Sequence, residues 1–226
     1  MTYCGLRRMS VYRKYERSVY MEITKEVYLL DTARGSHAYL VYTPEPVLID
    51  TGLPFWGKAM LHELALLGLK DIRRILLTHH DVDHIGNAAR IEAISGAAVY
   101  ASEHDIPYIT GEKERHSFKK SIGLLMRVPS PSNLIPFEEN AVLDGIHVIP
   151  TPGHTPGHVC FLFKDVLFAG DLLENKKRAL MPFPAPWDWD YQIMLESIQK
   201  ISAYPFRWIC PAHGKPIKRK DLLKPF

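Results

Sequence analysis

Cysteine is scarce in this sequence, and long apolar runs are missing. The three cysteines, Cys4, Cys160 and Cys210, are odd in number, widely spaced and without a C-x-x-C pair. That excludes a disulfide framework and points to reduced thiols. Cys160 and Cys210 stand in apolar stretches and are expected to be small core residues rather than reactive groups. No segment approaches the roughly 18 apolar residues that span a bilayer, and the amino terminus lacks the apolar block of a secretory signal. A soluble, cytoplasmic protein is expected. A dominant charge is also lacking: the net charge of +3 is too small to draw in nucleic acid or a membrane surface through its overall field. Neither is expected as a partner.

What is present suits one folded unit. The 226 residues are 46% hydrophobic and 23% charged, enough for a single large α/β domain with a real core and cramped for two. Residues 1–20 carry Arg7, Arg8, Arg13, Lys14 and Arg17 against Glu16 and show no periodicity. They are expected to form a basic, poorly ordered extension, with the domain covering 21–226.

Short β-patterned segments at 26–30, 37–42 and 46–50, separated by turn residues, predict an opening β-meander. From 54 to 69 the apolar residues Trp56, Met60, Leu61, Leu64 and Leu67 follow helical spacing, leading to a strand over 73–78. A second helix is expected over about 85–94, then a strand at 97–100. Strands near 142–150, 158–164 and 165–169, a helix over about 190–203 and a strand at 207–210 follow. Strands and helices in both halves imply an α/β (α+β) fold of two sheets faced by helices. Two stretches break the pattern: 111–140, with a short helix near 118–127, and 174–189, rich in proline and tryptophan. Irregular segments of this length inside a compact domain are expected as lids over a site. Trp187, Trp189 and Phe183 would then be exposed, as pocket wall or as a subunit interface of a homodimer.

The strongest chemical signal is LTHHDVDHIG over 77–86, an apolar strand that runs straight into five potential metal ligands. Positions two apart in an extended turn share a side, so His79, Asp81 and Asp83 converge and His84 joins from the following helix. His80 faces elsewhere. Mixed imidazole and carboxylate donors suit a divalent transition metal, Zn²⁺ first, with Fe²⁺ or Mn²⁺ as alternatives. Three more strand ends deliver one His or Asp each through glycine- or proline-bearing turns: His154 in TPGHTPGH, Asp171 in LFAGD and His213 in ICPAHG. His158 is expected at a strand end on the surface, His37 and His104 in structural roles. Lys176, Lys177 and Arg178 are either a solvated charge run or a grip on a substrate anion.

Taken together, these motifs resemble the metallo-β-lactamase-fold superfamily over about 21–214, with the pattern H-x-H-x-D-H, then a His, a bridging Asp and a final His. The resemblance implies a four-layer αββα sandwich with two metals at one edge of the sheets. It assigns His79, Asp81 and His154 to the first metal, Asp83, His84 and His213 to the second, and Asp171 between them. Asp50, at the end of VLID over 47–50, would support the site from behind the ligands. Asp81 departs from the pattern by standing where most members have a second His.

The implied function is hydrolysis of a small, in one version anionic, ester, thioester or lactone by a hydroxide shared between two metals. Asp83 and Asp171 are the expected catalytic carboxylates, Asp83 moving the proton to the leaving group. The alternatives are a small phosphodiester hydrolase, a mononuclear iron oxidoreductase acting on persulfides, and a scaffold without chemistry. The full set of seven ligand positions weighs against the last two.

Overall fold

The computed structural model describes residues 20–67, 72–115, 119–126, 128–138 and 140–222. Apart from Tyr20, the basic extension expected over 1–20 lies outside the described residues. A first sheet is built from residues 20–136 in strand order: β1 (Tyr20–Thr24), β2 (Val27–Leu30), β3 (Tyr39–Val41), β4 (Val47–Ile49), β5 (Arg74–Leu76), β6 (Ala98–Ala101) and β7 (Leu134–Pro136). Strands β1 to β4 form an antiparallel meander, and β4 to β7 pair in parallel. The second sheet uses residues 142–218: β8 (Val142–Leu143), β9 (Ile146–Pro150), β10 (Val159–Phe163), β11 (Val166–Lys176), β12 (Ala179–Pro182), β13 (Trp208–His213) and β14 (Ile217–Lys218). All its pairs are antiparallel except β11 with β13.

The crossovers that parallel pairing requires are helical. They are α1 (Gly57–Leu66), α2 (Val82–Ile85), α3 (Ala88–Ser95), α4 (Ile106–Thr110), α5 (Lys119–Met126) and α6 (Tyr191–Ser202). Helix α6 starts at Asp190, whose carboxylate accepts from Gln192 N and Ile193 N, capping backbone donors that would otherwise lack partners.

Alternation along the strands builds the layers. Val47 and Ile49 face the second sheet and pack with Phe161, Phe168 and Cys210, while Leu48 faces outward with Leu40 and Ile75 against Met60 and Leu64 of α1. In the second sheet Cys160, Leu162 and Leu167 face Met194 and Ile201 of α6. Helix, sheet, sheet, helix is the expected αββα sandwich, with strands buried on both faces. Cys160 and Cys210 are buried and unpaired.

The structure departs from the sequence reading in several places. The helix expected over 85–94 is two helices, α2 and α3. The chain breaks between them where the Asn87 side chain donates to Thr51 O at 2.6 Å and Leu53 O at 3.0 Å. Gly86 there lies so close to the 52–54 loop that a Cβ would meet Gly52 O at 2.3 Å. The strand expected over 165–169 runs on to Lys176, because β12 pairs with its outer half. Much of 174–189 is therefore a regular β-arm. Within 111–140, α5 falls where a short helix was expected, and β7 adds an unforeseen edge strand ending in proline, which an edge tolerates. No helix among the described residues is long and apolar enough to cross a membrane.

Candidate metal centre

Of the seven sequence-predicted donors, His79 and Asp81 lie in the turn that follows β5 and opens α2, and Asp83 and His84 lie in α2. His154 lies in the turn that follows β9, His213 ends β13, and Asp171 lies within β11. The approach to Asp171 needs Gly170 at φ 50°, where a Cβ would meet His158 Nε2 at 2.6 Å. Only glycine fits this left-handed position without strain.

The donors gather in two groups, His79 with Asp81, His154 and Asp171, and Asp83 with His84 and His213, each group's ligand atoms lying within 4.8 Å of one another. In the first, His154 Nε2 is 3.1 Å from Asp81 Oδ2 and 3.4 Å from Asp171 Oδ2, and His79 Nε2 is 3.5 Å from Asp81 Oδ2. The other oxygen of Asp171 faces the second group, 3.4 Å from His84 Nε2 and 3.3 Å from His213 Nε2. One carboxylate thus stands between the two groups, one oxygen to each.

The far sides of three of the four imidazoles are fixed. His84 Nδ1 is 2.8 Å from Asp50 Oδ2, which also accepts from the Thr78 hydroxyl at 2.7 Å, while Asp50 Oδ1 accepts from Thr78 N at 2.9 Å. His154 Nδ1 is 2.8 Å from Asp188 Oδ1, and His79 Nδ1 is 3.0 Å from the Thr78 hydroxyl. Each ring therefore presents Nε2 to the centre, the arrangement in which an outer partner orients a ligating histidine. His79 Nε2, His84 Nε2, Asp81 Oδ1 and Asp171 Oδ1 are buried without a hydrogen-bond partner. Native proteins rarely leave so many polar atoms unsatisfied in one place, and a divalent cation in each group would satisfy them. The residues present fit a metal site.

Electrostatics agree. Burial is the largest influence on each of these groups. It drives the His79 imidazole well below its ordinary range, with His84 adding to the effect. At His84, by contrast, Asp50, Asp171 and Asp83 outweigh burial and hold the pKa well above the usual value. Burial acts to raise Asp81 and Asp171 too, but Lys119 and the histidines overcome it and hold both carboxyls well below their ordinary range.

Several residues were misplaced or missed in the sequence. His158, expected near the surface, is 1% exposed, with Nδ1 2.9 Å from the Thr151 hydroxyl and Nε2 accepting from Asp171 N at 3.2 Å. Burial, aided by His154, pushes its pKa down to about 3, so it is a neutral prop beneath Asp171. Phe183 is only partly exposed, its ring centroid 4.9 Å from that of His154 and 5.3 Å from that of His213. His37 is tied to the Pro211–His213 end of β13, its backbone N–H donating to Ala212 O at 2.9 Å. His104 is exposed and faces Glu103. Lys176 pairs with Glu174 at 2.5 Å and Arg178 donates to Asp221 O at 2.8 and 3.0 Å, both at the turn of the β11–β12 arm.

His80 lies between Asp81, 3.7 Å from its Nε2, and Asp105, whose carboxylate was overlooked. Asp105 Oδ2 accepts from His80 N at 2.9 Å and the Thr155 hydroxyl at 2.8 Å, and Oδ1 accepts from Gly157 N at 2.8 Å. It joins the two ligand-bearing turns. Its signal was its place just after β6, comparable to that of Asp50 after β4. Asp188 and Lys119 lie in segments without periodicity, which hid them.

Residues 31–213 match the family model described as the metallo-beta-lactamase superfamily. The chain is 31% identical to a probable metallo-hydrolase, YflN, of Bacillus subtilis strain 168, over 84% of each chain. It is 28% identical to a hydroxyacylglutathione hydrolase of a Synechococcus species, over 64% of this chain and 51% of that one. Its fold superposes on the crystal structure of TTHA1623 in a di-iron-bound form with a TM-score of 0.66 and 29% identity, covering 81% of this chain and 89% of the other.

Proposed function

This chain belongs to the metallo-β-lactamase superfamily, and from that premise we propose that it is a binuclear metal-dependent hydrolase of a small ester, thioester or lactone. The observation that carries the reading is the Asp171 carboxylate, which stands between two donor groups with His79 Nε2, His84 Nε2 and its own Oδ1 buried and without a hydrogen-bond partner. Likeness to a hydroxyacylglutathione hydrolase supports a thioester or ester over a phosphodiester.

His79, Asp81 and His154 would hold one ion and Asp83, His84 and His213 the other, with Asp171 shared. Zinc is the first choice for such donors, iron and manganese the alternatives. Two divalent ions there would supply Lewis acidity toward a carbonyl and lower the pKa of water toward neutrality. The protein's own contribution is positional. Asp50, Thr78 and Asp188 fix the imidazole tautomers. Asp83, with its side chain 22% exposed, borders a cavity. Burial, then the charges of Asp171 and Asp81, raise its pKa against the pull of His84 and His213. From that place at the cavity Asp83 is positioned to take a proton from water and pass it to a leaving group. The two buried, unpaired thiols suit a reducing compartment, and the proposal places the protein in the cytoplasm with a small molecule as its partner.

The test is elemental mass spectrometry of protein purified without chelators, alongside hydrolysis of a model thioester and a model phosphodiester. Two metals per chain in wild type, near one in Asp81→Ala, and thioester turnover are expected. A single iron per chain indifferent to Asp81 would overturn the binuclear hydrolase in favour of an oxidoreductase.

A further inference from the structure

Two cavities open beside the first donor group and share one wall. The first, of about 190 Å³, is bordered by Leu53, Val82 and Met126 as well as Asp81 and Asp83. The second, of about 220 Å³, is bordered by His80, Tyr108, Thr155, Trp189 and His154. Arg115, Lys119 and Trp187 line both. One compartment is thus mainly apolar, the other polar and aromatic, and two cations stand at the boundary.

Lys119 is buried and Arg115 half-buried. Lys119 is 5% exposed, with Nζ 2.7 Å from Asp81 Oδ2 and 3.0 Å from His154 Nε2. A buried ammonium needs a compensating negative charge, and here it leans on two groups that face the metal centre. Asp81 and His154 are also donors of the first group, so Lys119 shares both of its partners with that group. Arg115 donates through Nε and Nη2 to His80 O at 3.3 and 3.1 Å and makes no ion pair among the described residues. Glu114, the carboxylate on the polar wall, is exposed and paired with Lys120 at 2.7 Å. His80, its Nδ1 3.0 Å from Asp105 Oδ2, keeps a buried Nε2 without a hydrogen-bond partner on the same wall.

Resting on the hydrolase reading above, we infer that Arg115 and Lys119 form an anion subsite and that the substrate is an ester or thioester bearing a carboxylate. Two of the guanidinium nitrogens are engaged by His80 O; the outer edge of the planar fork matches a planar carboxylate. The charged end of the substrate occupies the polar compartment, and the uncharged end lies against Leu53, Val82 and Met126. The scissile carbonyl then falls at the boundary, beside Asp81 and His154. These cations come from the 111–127 segment, which gives that segment the recognition role and leaves the strand ends to the chemistry.

The test uses metal-loaded protein and two thioesters of N-acetylcysteamine, monosuccinyl and butyryl, which share a leaving group and differ in the distal carboxylate. Wild type should favour the succinyl thioester in kcat/KM by roughly tenfold or more. Arg115→Met and Lys119→Met should each cut that preference by roughly tenfold to a hundredfold, the range for one charge-assisted hydrogen bond. Arg115→Lys should restore part of it. A readout independent of turnover is tryptophan fluorescence on adding succinate, since Trp187 and Trp189 line the subsite. If neither thioester is hydrolysed but succinate binds wild type and not Arg115→Met, the subsite stands and the hydrolase reading falls. Equal turnover of the two thioesters with no succinate binding would overturn the subsite and leave the hydrolase intact.

Discussion

Replacing Asp105 by alanine should uncouple the turns after β5 and β9, which carry His79, Asp81 and His154. The residue has no solvent exposure, and its carboxylate accepts from His80 N, the Thr155 hydroxyl and Gly157 N at 2.8 to 2.9 Å. The substitution leaves two buried backbone N–H groups and a hydroxyl without an acceptor and takes away the carboxylate beside His80 Nδ1. Each orphaned donor costs roughly 1–3 kcal/mol, and water entering the vacated space recovers part of that. The expected destabilisation is about 4 kcal/mol, a large share of the roughly 5–15 kcal/mol that holds a domain folded. Asp105→Asn keeps one acceptor oxygen but sets an NH₂ against a donor, so about half that loss is expected. Urea denaturation of the metal-free proteins measures the stability term, and metal content after dialysis measures the effect on the site. Loosening partners behind ligands should weaken metal binding roughly tenfold to a hundredfold. An alanine variant within about 1 kcal/mol of wild type that retains its metal would refute the reasoning and show that other contacts hold the turns together.

Glu63, with no exposure, accepts from Asp31 N at 2.9 Å and Thr32 N at 3.0 Å and from the Thr32 hydroxyl. Glu63→Ala should therefore cost about 2–4 kcal/mol in thermal or urea unfolding, and an unchanged Tm would contradict the assigned role. Burial lowers the imidazoles of His84, His154 and His213, but neighbouring carboxylates outweigh it and raise all three. Metal requires them neutral, so binding should release protons and affinity should fall as pH drops through those raised values. Calorimetry in buffers of different ionisation enthalpy reads the release directly, and none detected would count against the assignment. Chelation should lower Tm as well as abolish turnover, because an ion at about 1,000 times its Kd stabilises by about 4 kcal/mol. A chelated protein with an unshifted Tm would argue that the groups do not hold metal.

Much of this was legible in the chain before the structure. Two sheets faced by helices were legible from the strands and helices in both halves of the chain, and the structure covers both faces of β4, with Leu48 on one side and Val47 and Ile49 on the other. The donors were legible because they end strands, where an apolar run gives way abruptly to His and Asp. Asp188 was not, because it lies between two tryptophans in a proline-rich stretch where no period assigns a side chain to a face. His158 was misjudged for a related reason. Its burial comes from Thr151 and the backbone of Asp171, and the second of these is a contact that local sequence does not announce. The outer half of β11 was missed because only pairing with β12 makes it a strand.

The division of the sheets along the chain gives the centre a mechanical meaning. Residues 20–136 make one sheet and 142–218 the other, so the molecule is two contiguous half-chains laid face to face. Each donor group takes ligands from both halves: His79 and Asp81 meet His154 and Asp171, and Asp83 and His84 meet His213. An ion in either group would act as a rivet through the sandwich, adding its binding free energy to the apolar adhesion between the halves. Separate polypeptides divided between Pro136 and Val142 should then reassemble far more readily with metal than without it, and the reaction centre would exist only once the two pieces had closed on each other.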